Sequence, residues 1–97
     1  MVRDYLLALV EATRHESNLR IGVSPRGSLA LYRSAQAYAA LHGRDYAVPE
    51  DIKTMAPAVF RQRILLSSEA FVRGVSPDRI IESILDKTPI PEYRTAP

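Results

Sequence analysis

The stretch GSLALYRSAQAYAALH, from Gly27 to His42, constrains the fold more than any other part of the chain. Its leucines, alanines and Tyr38 fall on nearly every side of a helical projection. Both ends are marked. Ser24 is a good N-cap, Pro25 suits the first helical position, and Gly43 stands where a helix ends. Alanine on several faces lets other elements approach closely, so the expectation is a central helix with the rest of the chain packed around it.

The remaining periodicity supplies its neighbours. VRDYLLALVEATR (2–14) places Tyr5, Leu6, Leu9, Val10 and Thr13 on one face and reads as an amphipathic helix. HESNLRIGV (15–23) has no period and reads as a loop. After a short extended piece at Tyr46 to Val48, Pro49, Glu50 and Asp51 make an acidic first turn, and Ile52, Met55, Ala56, Val59 and Phe60 continue a helical stripe. Pro57 should end or kink that helix within a turn of Met55. RQRILLSSEAFVRGV (61–75) shows no helical period, although Ile64 to Leu66 suit an extended segment. Ser76, Pro77 and Asp78 cap a last helix with Ile80, Ile81, Ile84 and Leu85 inward, and TPIPEYRTAP (88–97) closes the chain as an extended tail. At 97 residues there is material for one core. The reading is an all-α fold of four helices with at most a short two-stranded extended pair.

Chemistry of the familiar kinds is missing. There is no cysteine, and the two histidines, His15 and His42, stand on separate segments without an acidic cluster, so no metal site is expected. No glycine-rich phosphate loop, zinc-protease helix or nucleophile elbow occurs, and no serine has a histidine and a carboxylate near it in sequence. No catalytic residue is assigned. The paired carboxylates Glu50 and Asp51 compensate a helix dipole. A net charge of +2, with eleven arginines spread among acids, gives little pull on nucleic acid. No run is long enough to span a membrane, and Asp4 and Glu11 interrupt the apolar N-terminus where a signal peptide would be uniform, so the chain reads as cytoplasmic.

One residue stands out against this plain background. Arg26, in GVSPRG (22–27), falls in the first turn of a helix, where the dipole disfavours a cation by roughly 0.3–1 kcal/mol. Either it is an exposed arginine that tolerates the wrong end of a helix, with Glu16 or Glu50 of a neighbouring element as available partners, or the guanidinium and the free N–H groups of the turn together make an anion site.

Taken in order, ATR (12–14), GVSPRG (22–27), LYRSAQAYAALHGRDYAVPEDI (31–52) and FRQRILL (60–66) resemble the C-terminal lid domain of the MoxR family of AAA+ ATPases, over nearly the whole chain. The resemblance implies a lid domain over residues 1–91 with a tail at 92–97, excised from a larger ATPase, Met1 being either an initiator or an added residue. It implies that Arg26 is the sensor 2 residue, which contacts the phosphates of ATP. The Walker motifs, sensor 1, the arginine finger and the Mg2+ site would belong to an upstream core, so this chain alone is expected to lack ATPase activity. The implied partners are that core, neighbouring subunits of a hexameric or similar ring, and proteins carrying a von Willebrand A domain. Three residues depart from the family pattern. Gly27 replaces the usual alanine and Val48 a capping threonine, each expected to weaken a helix start by up to about 1 kcal/mol. Gln62 replaces a histidine, which leaves the role of Arg61, Gln62 and Arg63 open. Two rival readings remain, a small helical nucleic-acid-binding module and a pure subunit-assembly module.

Overall fold

The computed structural model describes residues 2–90, so the expected tail at 92–97 lies outside the described residues. Along the chain run α1 (Val2–Arg14), β1 (Leu19–Ile21), α2 (Pro25–Leu41), α3 (Pro49–Phe60), β2 (Leu65–Leu66), α4 (Ser68–Val72) and α5 (Pro77–Lys87). Among the described residues the fold is mostly α, with one antiparallel strand pair.

Local chemistry explains the boundaries. Ser24 accepts from the Gly27 N–H at 3.3 Å, Ser67 from Ala70 at 3.1 Å and Ser76 from Arg79 at 3.2 Å, so three helices begin on serine caps. Gly43 (φ 78°) follows α2 and Gly74 (φ 73°) follows α4 in the left-handed conformation that glycine adopts without strain.

The core is built from one face of each long helix: Tyr5, Leu6, Leu9 and Val10 of α1, Leu31 and Ala35 of α2, Ile52, Ala56 and Phe60 of α3, and Ile80, Ile81, Ile84 and Leu85 of α5. These are the inward positions that the periodicity indicates. The place of α2, however, is not the expected one. It buries Gly27, Leu31, Ala35 and Ala39, a narrow stripe at four-residue spacing, and leaves Leu29, Tyr32, Ala37, Ala40 and Leu41 exposed. Contacts with three other helices are made by α3, on α1, α2 and α5, and by α1, on α2, α3 and α5. Alanine suits a close helix contact and an exposed helix surface equally well, so an alanine-rich sequence does not tell the two apart. The small-residue stripe brings α2 tightly against α3, which is the most extensive helix pairing in the molecule.

Three further differences concern short or strained segments. The region 15–23, expected as a loop, contains β1, which pairs with β2 through Leu19 with Leu66 and Ile21 with Leu65, across an irregularity. Ser67 N–H donates to the Asn18 carbonyl at 2.9 Å and prolongs the contact. A fifth helix, α4, occupies part of 61–75; five residues are too few to display a 3.6-residue period, and its evidence is the Ser67 cap, the buried Ala70 and the Gly74 stop. Finally, of the two outcomes expected at Pro57, an end or a kink, the helix does not end there: α3 continues to Phe60. The proline removes the N–H that would bond the carbonyl of exposed Lys53, while the buried Phe60 holds the last turn in the core.

Candidate functional site

The GVSPRG turn is held from beneath by the end of α1. Thr13, 2% exposed, donates its hydroxyl to the Val10 carbonyl at 2.6 Å and accepts the Val23 N–H at 3.0 Å. Gly22 lies directly against it: a Cβ there would stand 2.8 Å from the Thr13 carbonyl oxygen. Glycine is therefore what allows the chain to pass α1 and start α2 where it does. The segments ATR and GVSPRG, separate in sequence, form one hydrogen-bonded unit.

Above that unit stands Arg26, exposed, with no hydrogen bond or ion pair among the described residues. Neither Glu16 nor Glu50 pairs with it: Glu16 accepts from Asn18 at 3.0 Å, and Glu50 is exposed at the start of α3. The first turn of α2 carries no acid. Pro25 brings no N–H, Gly27 N–H goes to Ser24 Oγ at 3.3 Å, and Ser28 N–H goes to the Ser24 carbonyl at 3.0 Å. The open donors of the turn are thus the backbone and guanidinium of Arg26, side by side at the positive end of a 17-residue helix.

Gly27 has a packing role that its helix propensity conceals. A Cβ there would stand 2.6 Å from Cγ1 of buried Val23 and 3.3 Å from Cδ of Arg63. The missing methyl lets the turn sit on Val23 and under the stem of Arg63, so the departure from alanine is a close-packing feature of this chain and not only a weaker helix start. Arg63 thereby joins the neighbourhood of Arg26. Arg61 does not: its Nε bonds Asp78 Oδ1 at 2.7 Å across the surface to α5.

The GRDYAVPED segment proves to be a clamp. Arg44 donates from both terminal nitrogens to the Asp51 carboxylate, each at 2.7 Å, and Asp51 Oδ2 also accepts the Val48 N–H at 2.8 Å. The Arg44 bonds, with help from Val48, hold the Asp51 carboxyl below the usual carboxylate range against the opposing effect of burial. Asp51 is 2% exposed, so it does more than face a helix dipole. Val48 has no side-chain acceptor to cap α3, and the Asp51 bond to its N–H is the half of a capping box that remains. Sequence reasoning passed over Arg44. The available signal was a guanidinium directly after a left-handed glycine, seven residues before an acid at the third position of a helix.

The two histidines are far from any shared chemistry. His15 contacts Glu11 at 2.7 Å beyond the end of α1, and His42 Nδ1 approaches the Tyr38 carbonyl at 2.9 Å at the end of α2.

Comparison with known proteins agrees with this geometry. The AAA lid domain model matches residues 11–84. The uncharacterised protein YeaC of Bacillus subtilis is 40% identical over 98% of this chain and 30% of its own length. Chaperone MoxR1 of Mycobacterium tuberculosis is 32% identical over 97% of this chain and 27% of its own. The crystal structure of a protein assigned as an ATPase, from Cytophaga hutchinsonii, superposes with a TM-score of 0.86 at 37% identity, over 94% of this chain and 30% of that one. The chain spans about 30% of the length of these relatives. It belongs to the AAA lid domain family and, within it, to the lids of MoxR-type AAA+ ATPases.

Proposed function

We propose that this chain is the nucleotide-sensing lid of a MoxR-type ATPase and that Arg26 is its sensor 2 residue, contacting the phosphates of ATP. The observation that carries the reading is the state of Arg26, exposed and unpaired among the described residues on a turn whose free donors and dipole favour an anion. A cation there is mildly disfavoured while alone, and a phosphate reverses the sign by meeting a fork of charged donors. ATP supplies the phosphoanhydride bond whose hydrolysis powers the whole protein, and its Mg2+ would be held by residues outside this chain.

What this chain's own residues contribute is binding and transmission. The Thr13–Val23 bond and the close contact at Gly22 tie the Arg26 turn to α1, so a displacement of Arg26 is carried into α1 and α2 together. A cleft of about 640 Å3 between these helices, lined by Leu7, Ala8 and Val10, by the charged Glu11 and Arg14, and by Pro25 and Ser28 on either side of Arg26, offers an ATPase core a mixed apolar and charged face to close upon. On this reading the lid changes its angle to the core with nucleotide state, within a hexameric or similar ring, and remodels partner proteins such as those with a von Willebrand A domain. The name chaperone carried by the M. tuberculosis relative suits that coupling. The nucleic-acid alternative has less support, because Arg44 and Arg61 are committed to Asp51 and Asp78.

The test uses the full-length ATPase that contains this chain. Arg26→Ala is expected to lower ATP turnover strongly, with partial retention in Arg26→Lys, which keeps the charge and loses the fork. Turnover equal to that of the unaltered protein in Arg26→Ala overturns the assignment.

A further inference from the structure

The segment RQRILLSSEAFVRGV, which lacks a helical period, folds into a surface that the lid reading does not use. In α4, Ala70 is fully buried and anchors the helix, while the two largest apolar side chains, Phe71 and Val72, are 74% and 83% exposed. They line, with Ile64, Leu65, Leu66 and Arg20, a groove of about 340 Å3 between the strand pair and α4. Ile21, 55% exposed, pairs across the ladder with Leu65 and extends the apolar ground. Large apolar groups gathered in a concavity are the usual material of a recognition surface, whereas the same groups scattered singly would need no explanation.

The two cations at its border, Arg20 and Arg73, lack a counterion among the described residues, and the acid exposed on α4, Glu69, pairs with neither. Arg20 is exposed and makes no ion pair among the described residues. Arg73, next to Val72, donates at 3.0 Å to Asn18 Oδ1, a neutral amide. The carboxylate of Glu16 is turned to the other side of the same amide, accepting from Asn18 Nδ2 at 3.0 Å.

We propose that this groove is a docking surface for a partner protein's segment of apolar residues flanked by acidic ones. Its apolar side chains would enter between Phe71, Val72 and Leu65, and its carboxylates would meet Arg20 and Arg73. This proposal is independent of the Arg26 reading. An anionic membrane is the less fitting occupant, because the apolar groups line a concavity and only two cations accompany them.

The experiment takes the 97-residue chain and a fluorescein-labelled peptide alternating Leu-Phe with Glu-Asp pairs, beside its counterpart with lysine for every acid. Binding is followed by anisotropy at low and high salt, and the site by amide chemical-shift mapping. The acidic peptide is expected to bind saturably and more weakly in high salt, shifting the amides of β2 and α4, and to lose about tenfold or more in Phe71→Ser. The double variant Arg20→Glu, Arg73→Glu is expected to prefer the lysine peptide. All these side chains are exposed, so each variant is expected to keep its fold, which circular dichroism checks. Equal binding of both peptides, absence of saturable binding, or shifts elsewhere on the surface overturn the proposal. So do Phe71-dependent self-association in sedimentation and Phe71-dependent binding to phosphatidylserine vesicles without peptide binding, which assign the groove to a second copy or to a membrane.

Discussion

Asp51, in the first turn of α3, is gripped by Arg44 through two hydrogen bonds of 2.7 Å that bridge the α2–α3 connection. The carboxylate is 2% exposed and also holds the Val48 N–H, so one side chain fixes the loop and starts a helix that packs on three others. Asp51→Ala leaves the Val48 N–H and the guanidinium without their acceptor and is expected to cost about 2–3 kcal/mol. Urea denaturation of the 97-residue chain measures this, and a loss below about 0.5 kcal/mol would show that the clamp is incidental.

The same pair gives the acid limb of stability a definite sign. Arg44 and Val48 depress the Asp51 pKa in the folded chain below its unfolded value. The ionised form is thus favoured by folding, the stabilisation is complete above the ordinary carboxylate pKa near about 4, and it is lost as pH falls through the lower folded value. Stability is expected to decline on acidification below about pH 4, and Asp51→Asn to flatten that decline while lowering stability at neutral pH. Thermal melts across the acid range check both.

Gly22 and Gly27 answer to different neighbours, and their alanine variants are expected to differ. A methyl at position 22 meets the Thr13 carbonyl oxygen at 2.8 Å, which is backbone and cannot step aside. At position 27 it meets a methyl of Val23 at 2.6 Å, which can rotate only by disturbing a buried position. Gly22→Ala is expected to cost about 2 kcal/mol or more, and Gly27→Ala about 1 kcal/mol, the helix-propensity gain offsetting part of the overpacking. A Gly27→Ala variant more stable than the unaltered chain, in the same denaturation assay, contradicts the packing role.

What could be read from the sequence was what depends on neighbours along the chain. The serine caps at Ser24 and Ser76, the stop at Gly43 and the inward faces of α1, α3 and α5 are local or periodic signals, and they describe most of the architecture. The strand Leu19–Ile21 and the helix Ser68–Val72 are too short to repeat the periods that would announce them. The exposure of α2 was hidden because alanine serves a close contact and an open surface alike. The Arg44–Asp51 clamp depends on a turn that brings residues seven apart face to face, which no helical or strand spacing encodes. Arg26 was legible as an electrostatic misfit. Its proposed sensor 2 role came from the family resemblance and not from local physics, because the anion that suits it is no part of this chain.

Tyr5 carries the other polar group at odds with its surroundings. It is 0% exposed in the core, and among the described residues its hydroxyl has no hydrogen-bond partner. Burial, with the negative charge of Glu50 nearby, raises its pKa. Folding therefore favours the neutral phenol, a contribution complete below the unfolded pKa near about 10 and lost as pH rises through the folded value. Tyr5→Phe is expected to hold or raise stability by up to about 1 kcal/mol at neutral pH and to blunt the loss above about pH 10. A clear loss of stability at neutral pH would reveal that the hydroxyl is satisfied after all.

Arg26 separates stability from function, since none of the described residues makes a hydrogen bond or ion pair with its side chain. Arg26→Ala removes an exposed cation from the positive end of α2, so the 97-residue chain is expected to change by less than about 1 kcal/mol, in the stabilising direction. Arg26→Glu reverses the charge and should add a few tenths of a kcal/mol more through the dipole, roughly 0.3–1 kcal/mol in total. Both gains should fade in high salt, because the side chain is exposed to screening. In the isolated chain, inorganic phosphate should raise the melting temperature of the arginine form more than that of either variant, because an anion at this turn binds the folded state alone. A phosphate effect of equal size in all three would place the anion elsewhere, even if the stability order held.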